Sequence, residues 1–310
     1  MKPEEPPVAE LPSVMRTTGW ADYGLIDSGA GRKLERYGRF TVVRPEPQCL
    51  WTPALPAARW EAADAVFDPT DEEDAGRWKL KGPAAGLGNG EAWPLAWGEV
   101  KFKGRFTSFR HLAFFPEQAA NWAFLDAAVR GAGEQPKILN LFGYTGVASL
   151  VMAAAGAAVT HVDASKRAVG WARENAELSG LAERPIRWIT EDARKYVQRE
   201  VRRGSRYEGI ILDPPKYGRG PDGEVWRLFE DLPELVGLCA ELLSENAKFL
   251  VLNAYAERIS GAALSGLLAE KLKGRGGRIE WGELALVQEG GAREIGMSFF
   301  ARWQANGGQA

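Results

Sequence analysis

Residues 137–163 read KILNLFGYTGVASLVMAAAGAAVTHVD, and this stretch decides the fold. A β-favouring run from Ile138 to Phe142 leads into a turn with two glycines, a helix of small residues follows, and a second strand ends at Asp163. Glycines let a backbone approach a ligand closely, and an acid about 20 residues further on can accept both hydroxyl groups of a ribose. The pattern predicts a β-turn-α-β unit that binds a ligand with an adenosine half.

Two other interpretations of this stretch are open. The run from Ile138 to Thr160 contains no charged residue, and a membrane span needs about 20 apolar residues. The turn chemistry between Asn140 and Gly146 argues against a span. The second alternative is an α/β crossover without a nucleotide, because Gly143-x-x-Gly146 is only part of the G-x-G-x-x-G pattern.

Length and composition set broad limits. A chain of 310 residues can form one large domain and one smaller domain, each with its own core. A net charge of -2 gives no overall attraction to nucleic acid or to an anionic membrane, so local patches must carry any such function. Cys49 and Cys239 are too few for a disulfide framework or a zinc site. The acidic, proline-broken N-terminus is not a secretory signal, and we expect a cytoplasmic protein.

Three segments are predicted along the chain. Residues 1–15 contain four prolines and are expected to be a flexible lead-in. Residues 16–112 are rich in proline and tryptophan and are expected to form a β-rich accessory domain, with an acidic, solvated loop at 68–74. Its candidate strands are Arg39 to Val43, Trp78 to Lys81 and Trp97 to Phe102. Residues 113–310 are expected to form an α/β domain.

The predicted α/β domain alternates strands and helices after residue 137. Ser165 can cap a helix that ends near Gly180, and further strands are expected at 186–190, 207–213 and 248–252. The last segments, 278–287 and 293–302, are separated by Glu289-Gly-Gly and predict an antiparallel hairpin. Five parallel strands closed by this hairpin give a mixed sheet with one reversed strand.

The segment 101–111 alternates cations with phenylalanines. Such a pattern can stack nucleic-acid bases and hold phosphates. The alternative is a strand pair with phenylalanines inward and charges outward. The candidate nucleic-acid contacts are Lys101, Lys103, Arg105 and Arg110.

Asp213-Pro214-Pro215 is the most specific motif in the chain. Ligands of open α/β sheets bind at the carboxyl ends of strands, and this tripeptide ends the predicted fourth strand. Two successive prolines fix φ and remove two N–H donors, which leaves a stiff edge of carbonyl oxygens and one carboxylate. This edge can accept hydrogen bonds from an amino group, and Tyr217 can stack on a planar ring. The alternative is a turn that only terminates the strand.

Four motifs together resemble class I S-adenosylmethionine-dependent methyltransferases: the turn at 140–146, the acid Asp163, Glu191-Asp-Ala193 and Asp213-Pro-Pro-Lys-Tyr217. More closely, they resemble the branch of large-subunit ribosomal RNA methyltransferases, whose motifs read FxYTG and DPPK[FY]. The resemblance covers residues 112–303. It implies a Rossmann-like seven-stranded sheet with an antiparallel last strand. It also implies S-adenosyl-L-methionine as the cofactor and RNA as a possible partner, and no metal or membrane is expected.

The resemblance also implies site residues. The expected cofactor contacts are Gln118, Asn140, Phe142, Gly143, Tyr144, Thr145, Gly146, Asp163, Ala164, Ser165, Asp192, Ala193 and Asp213. The expected catalytic group is Asp213, Pro214, Pro215 and Tyr217, and Lys216 is a further candidate for substrate contact. The RNA-binding module of the ribosomal RNA relatives is not recognisable in residues 1–110.

The fifth strand is followed by Asn253-Ala-Tyr255, where cytosine-C5 methyltransferases of this branch carry a cysteine. Methylation of carbon 5 needs a thiolate that attacks the ring first. Cys239 lies on the apolar face of a predicted helix, and Cys49 lies outside the catalytic motifs. We therefore expect direct methyl transfer to a nitrogen.

Other substrates and functions compete with this hypothesis. A protein side chain or a small metabolite is the alternative substrate for a methyltransferase. A nicotinamide-dependent oxidoreductase shares the glycine turn and Asp163, but it does not explain Asp213-Pro-Pro or the terminal hairpin. A cofactor-binding RNA module without catalysis is the third alternative. The oligomeric state is not predicted.

Overall fold

A computed structural model describes residues 5–70, 75–87, 91–255, 258–291 and 293–306. Residues 71–74 of the predicted acidic loop lie outside these ranges. In chain order the described strands are β1 (Val8–Ala9), β2 (Ser13–Thr17), β3 (Tyr23–Gly29), β4 (Arg32–Tyr37), β5 (Phe40–Pro45), β6 (Ala65–Pro69), β7 (Gly76–Leu80), β8 (Ala92–Trp97), β9 (Val100–Arg105), β10 (Lys137–Leu141), β11 (Ala158–Asp163), β12 (Ile186–Thr190), β13 (Gly209–Leu212), β14 (Tyr217–Arg219), β15 (Val225–Arg227), β16 (Phe249–Ala254), β17 (Arg278–Val287) and β18 (Glu294–Gln304). The α-helices are α1 (Ala57–Glu61), α2 (Ala119–Arg130), α3 (Val147–Ala154), α4 (Lys166–Leu178), α5 (Ala193–Arg202), α6 (Leu228–Leu242) and α7 (Gly261–Lys271), and short 3₁₀ helices occur at Gly82–Ala84 and Pro116–Gln118.

The chain divides into two compact units. The first unit contains Met1–Met15, Ala120–Leu284 and Met297–Ala310, and the second contains Arg16–Ala119 and Ala285–Gly296. This division differs from the predicted segments at both ends of the chain. The first residues group with the α/β unit, and the tip of the C-terminal hairpin groups with the β-rich unit.

The main sheet has the strand order β1-β17-β18-β16-β13-β10-β11-β12, with β2 also paired to β17. Strands β10 to β13 and β16 run parallel, and β18 pairs antiparallel with β16. The predicted mixed α/β sheet with a reversed last strand is thereby confirmed. Strand order reverses direction between β10 and β13, so the carboxyl ends of these two strands border the switch point where open α/β sheets bind ligands.

The uncharged run from Ile138 to Thr160 folds into β10, a turn, α3 and β11. Its side chains are buried because the sheet is covered by helices: Ile138, Leu150 and Met152 are fully enclosed. Within the ranges that the structure describes, no helix is both long and apolar enough to cross a bilayer. The apolar character of the run therefore comes from the core of an α/β sheet.

The prediction of a lead-in with little regular structure is wrong for residues 8–9, which form β1, and for residues 13–15, which begin β2. The backbone N–H of Val8 donates to the carbonyl of Gly277 at 3.1 Å, and the N–H of Glu10 donates to Ile279 at 2.8 Å. The edge of β17 offers unpaired backbone groups, and edge strands tolerate nearby prolines. The proline count alone therefore gave the wrong expectation.

The second unit is built on the sheet β3-β4-β5-β6-β7 and the hairpin β8-β9. The predicted strand Trp97 to Phe102 is wrong as a single strand, because it spans the turn between β8 and β9. Gly98 has φ 54° and turns the chain there. The core of this unit is aromatic: the rings of Trp93 and Phe106 pack 4.8 Å apart, and Phe40 packs edge-on against Trp93 at 5.0 Å.

A buried ionic cluster also lies in the second unit. Arg44 forms two hydrogen bonds with Glu35, from Nε to Oε2 and from Nη2 to Oε1, each 2.7 Å long. The hydroxyl groups of Tyr23 and Tyr37 also donate to Glu35 Oε1, at 2.9 and 3.1 Å. Lys33 lies 3.9 Å from the same carboxylate oxygen. The buried charge of Glu35 is therefore compensated by two cations and two hydroxyl groups.

Candidate functional site

The turn between β10 and α3 has an unusual backbone. Phe142 and Tyr144 adopt left-handed conformations with φ 58° and 48°, and Gly146 has φ 83°. A non-glycine residue in this region costs about 1–3 kcal/mol and persists only where the surroundings enforce it. Such strain concentrates at ligand-binding sites. The backbone therefore supports the prediction that this turn is functional.

The two glycines of the turn are required for packing within the protein. A Cβ on Gly143 would lie 2.4 Å from Cε1 of His161, and a Cβ on Gly146 would lie 2.8 Å from the Cβ of Ala172. Real Cβ atoms do not approach so closely, so a larger residue would displace the turn. The sequence pattern predicted that the approach of a ligand requires these glycines, whereas their close contact with β11 and α4 already does so.

Asp163 connects the turn to the end of β11. Its Oδ2 accepts a hydrogen bond from the N–H of Tyr144 at 2.9 Å, and its Oδ1 accepts one from the N–H of Ser165 at 2.8 Å. Burial raises the pKa of Asp163 above its ordinary value, although the two amide donors act in the opposite direction. Each carboxylate oxygen retains a lone pair for a hydroxyl donor, as a ribose would supply.

Behind the turn lie four buried polar side chains, of which Asn140 was predicted as a site residue, whereas Ser149, His161 and Asn175 were not. Asn140 Nδ2 donates to Ser149 Oγ at 2.8 Å, and Ser149 Oγ lies 3.0 Å from His161 Nδ1. Asn175 Nδ2 donates to the carbonyl of Thr145 at 2.9 Å. A polar residue on an otherwise apolar helix face, as Asn175 is on α4, was the available signal.

Two predicted cofactor positions serve as helix caps. Ser165 Oγ accepts a hydrogen bond from the N–H of Ala168 at 3.2 Å at the start of α4. Asp192 Oδ1 accepts one from the N–H of Lys195 at 3.0 Å at the start of α5. Both helices begin at the carboxyl edge of the sheet, next to Ala164 and Ala193. The caps fix the positions of these residues whether or not a ligand is bound.

Asp213-Pro214-Pro215 follows β13 directly, at the same edge of the sheet as the turn after β10. The indole N–H of Trp226 donates to the Pro215 carbonyl at 2.7 Å, and its ring packs against Phe142 with 5.0 Å between centroids. Trp226 belongs to the hairpin β14-β15, which sequence reasoning missed. Trp226 thus joins the edge formed by Asp213-Pro214-Pro215, here called the proline edge, to the turn between β10 and α3, and all three belong to the same unit.

The side chains that follow the proline edge are accessible. Lys216 is exposed, and Tyr217 retains half of its surface. On the neighbouring strand β16, Asn253 is buried. Its Oδ1 accepts a hydrogen bond from Asn121 Nδ2 at 3.0 Å.

The remaining predicted residues belong to the second unit. Gln118 is buried at the end of the 3₁₀ helix Pro116–Gln118. In the segment 101–111, Phe102 and Phe106 are buried in the aromatic core and are not accessible for base stacking. Arg105 is buried as well, whereas Lys101 is exposed and Lys103 and Arg110 are half-buried. For β9, the structure therefore agrees with the second interpretation of this segment, in which the phenylalanines face inward.

A comparison with solved structures identifies the family. The chain superposes on a SAM-dependent methyltransferase from Agrobacterium tumefaciens with a TM-score of 0.91 and 50% sequence identity, covering 97% of this chain and 96% of that one. The chain belongs to the S-adenosylmethionine-dependent methyltransferases. It is an enzyme that transfers methyl groups and uses S-adenosylmethionine, as the motif resemblance implied.

Curated relatives match part of this methyltransferase. It is 30% identical over 156 residues to ribosomal RNA large subunit methyltransferase K/L from Shewanella frigidimarina, which covers 50% of this chain and 21% of the relative. It is also 30% identical over 158 residues to ribosomal RNA large subunit methyltransferase I from Shewanella denitrificans, covering 49% and 38%. The matching segments thus span less than half the length of each of these relatives. No family model matches the chain.

The residues at the carboxyl edge fit the cofactor of this family. Asp163 offers carboxylate lone pairs to ribose hydroxyls, while the turn at 142–146 is held from behind by hydrogen bonds to Asp163 and Asn175. Such a prearranged turn can receive the methionine portion without reorganisation of the backbone. The edge of β13 lies beside this turn.

Proposed function

We propose that this methyltransferase transfers a methyl group directly to a nitrogen atom of an RNA that resembles ribosomal RNA. The observation that carries the proposal is the Asp213-Pro214-Pro215 edge at the switch point, beside the strained turn of 142–146. The names of the curated relatives, which match about half of this chain, support RNA as the substrate class.

The proposed cofactor roles are those that the motif resemblance implies. Asp163 holds the ribose, the turn at 142–146 packs the methionine and adenosine portions, and Asp192 with Ala193 borders the adenine. Asn140 supports the turn from β10, and Ala164 and Ser165 line the ribose side at the start of α4. Gln118 remains a predicted cofactor contact.

The catalytic work of the chain is alignment. When bound, S-adenosylmethionine supplies a methyl group already activated by a sulfonium. The protein must hold the acceptor nitrogen in line with that group, and such positioning is a large part of barrier lowering. Asp213 and the Pro214 carbonyl accept the N–H groups of the acceptor and stabilise the positive charge that develops on its nitrogen. The carbonyl of Pro215, the next residue, accepts a hydrogen bond from the indole N–H of Trp226.

The state of the two cysteines supports direct transfer. Cys49 and Cys239 are both buried. Burial, together with the nearby Glu46 carboxylate, raises the pKa of the Cys49 thiol to about 11. Burial raises the pKa of Cys239 further above its ordinary value. A nucleophilic cysteine needs access and a lowered pKa, and neither thiol has them.

The substrate class is tested with methyl-labelled S-adenosylmethionine. The protein is incubated separately with unmethylated RNA, with a protein extract and with a metabolite pool. We expect label in RNA, and nucleoside analysis should recover a base methylated on nitrogen. Label in protein or in metabolites would reject RNA as the substrate, and a C5-methylated pyrimidine would reject nitrogen as the target.

Asp163→Ala should weaken cofactor binding by about tenfold or more. Hydrogen bonds to charged groups contribute about 1.5–3 kcal/mol, and the variant removes a charged acceptor for the ribose hydroxyls. Titration calorimetry with S-adenosylhomocysteine measures the loss. Asp126→Ala, which removes a half-buried carboxylate from α2 of the same unit, is the control. Equal affinity of the Asp163 variant and the unaltered protein would remove Asp163 from the binding site.

The cationic segment should contribute to RNA binding through its accessible members. Replacing Lys101, Lys103 and Arg110 by alanine should reduce the slope of log affinity against log salt by about 0.7 for each lost contact with single-stranded RNA. Arg105→Ala is the comparison, because that buried side chain is the least able to reach a phosphate. An unchanged slope in the triple variant would mean that these residues are only a solvated face of β9 and its extension.

The double variant Cys49→Ser, Cys239→Ser should retain turnover. Direct transfer to nitrogen uses no thiol, so only the packing around two buried positions changes. Initial rates are measured after circular dichroism has established the native fold. A folded, cofactor-binding but inactive double variant would require a covalent mechanism instead.

A further inference from the structure

His161 occupies an unusual position for a titratable side chain. It lies on β11, between the parallel strands β10 and β12, directly opposite Asn140 of β10, and it is fully buried. A polar ring in such a place costs free energy unless its nitrogens are hydrogen-bonded. Its Nδ1 has Ser149 as a partner at 3.0 Å, whereas its Nε2 has no hydrogen-bond partner among the described residues. Hydrogen bonding alone therefore does not account for the presence of a buried imidazole at this position.

The ring of His161 directly contacts the turn between β10 and α3. A Cβ on Gly143 would lie 2.4 to 3.2 Å from three atoms of the imidazole, so the Gly143 backbone rests on the ring itself. On another side, Trp188 of β12 packs at 4.9 Å between ring centroids. The same indole approaches Gly146, since a Cβ there would lie 3.6 Å from it. His161 and Trp188 together form the surface beneath both glycines of the turn.

Ser149 connects the ring to the other side of the turn. It belongs to α3, which begins immediately after Gly146, and it accepts a hydrogen bond from Asn140 at 2.8 Å. With Asn140 as its donor, the hydroxyl hydrogen of Ser149 can point to Nδ1 of a neutral imidazole. The strand before the turn, the helix after it and the strand that carries Asp163 are thereby joined at one buried point.

We propose that His161 is a positioning residue. Together with Ser149 it fixes the position and conformation of the backbone in the turn at 143–146, and thereby the affinity for S-adenosylmethionine. This inference rests on the proposed role of that turn in cofactor binding. It extends that role to a side chain that does not itself reach the ligand. His161 acts on binding, and the alignment of the acceptor at Asp213 is left unchanged.

The neutral form of the ring is the one that functions. The groups facing it are the Asn140 amide, the Ser149 hydroxyl, the Trp188 indole and the Gly143 backbone, and none of them is charged. Burial lowers the pKa of His161 to about 3, so the ring stays neutral throughout the range in which the enzyme can be assayed. The contribution of His161 to cofactor affinity should therefore be constant between about pH 5.5 and 8.

The test compares three variants by calorimetric binding of S-adenosylhomocysteine. His161→Phe keeps a ring but removes the acceptor, Ser149→Ala removes the hydroxyl group, and the double variant removes both. Each single variant should bind about tenfold more weakly, and the double variant should bind no more weakly than the worse single variant, because both changes break one hydrogen bond. With saturating cofactor, kcat should stay within about twofold of the unaltered enzyme, while KM for the cofactor rises. The expected affinities of the single variants do not depend on pH.

A purely structural role makes different predictions. Thr160→Val, at a buried position on the same strand, is the control for general destabilisation. His161→Asn provides a second route if the phenylalanine variant does not fold, because its side-chain oxygen can replace Nδ1 as the acceptor and should recover part of the affinity. If the variants lower the melting temperature but bind S-adenosylhomocysteine as tightly as the control, the inference is wrong. If the unaltered protein itself fails to bind, the assignment of the cofactor site is wrong instead.

Discussion

We expect Asp213→Ala to lower kcat for methyl transfer by about 10²–10³-fold, the range found when one preorganised group that stabilises transition-state charge is removed. Asp213 supplies the only negative charge of the edge that follows β13 and carries Pro214 and Pro215. Without it the acceptor amine loses its orientation and the developing positive charge loses its counter-charge. Single-turnover kinetics with enzyme saturated in cofactor isolates this step from binding.

Two comparisons sharpen that experiment. Asp213→Asn keeps the shape and one acceptor oxygen but removes the charge, so it separates orientation from charge stabilisation. Lys216→Ala changes the next exposed side chain and should affect the KM for RNA more than kcat. Unchanged single-turnover rates in Asp213→Ala would show that the proline edge only terminates β13.

The second large effect concerns stability. Arg44→Met should reduce the free energy of unfolding of the β-rich unit by about 3–5 kcal/mol, the usual cost of removing one partner from a buried ion pair. The variant leaves the Glu35 carboxylate enclosed, with Tyr23 and Tyr37 as donors and Lys33 as the remaining cation. Denaturant titration measures the change. Arg16→Met, at the exposed pair with Glu294, should leave the transition almost unchanged.

Two observations test the electrostatic origin of this loss. The double variant Glu35→Leu, Arg44→Met removes both charges and should be more stable than Arg44→Met alone. Burial alone would raise the pKa of Glu35, but Arg44 and Lys33 outweigh it and lower that pKa to about 2. The unfolded chain therefore binds this proton more readily, so the contribution of Glu35 is complete above about pH 4.5 and is lost as the pH falls towards 2. A double variant as unstable as Arg44→Met would point to packing as the cause.

The α/β half was predictable because its signals are local. The turn from Phe142 to Gly146, the cap at Ser165 and the hairpin around Glu289-Gly-Gly each specify a conformation within a few residues. The order of these elements then leaves one familiar arrangement of parallel strands with a reversed last strand. The motifs at Asp163 and Asp213 follow strand ends, so their approach to one edge of the sheet was predictable from topology alone.

Features that depend on distant partners were not predictable. The pairing of β1 and β2 with β17 joins residues more than 260 positions apart, and proline content gave no indication of it. The run from Trp97 to Phe102 contains three residues that favour strands, and only Gly98 indicates the turn inside it. Ser149, His161 and Trp226 acquire their contacts through tertiary packing, and none belongs to a recognisable pattern.

The burial of both cysteines has a practical consequence for spectroscopy. A maleimide dye reacts with accessible thiolates, and neither Cys49 nor Cys239 presents one. A single cysteine introduced at an exposed position of the hairpin β14-β15, such as Arg219, can therefore be labelled selectively in the otherwise unaltered chain. The hairpin adjoins the proline edge through Trp226, so a fluorophore at its tip would report substrate arrival in real time.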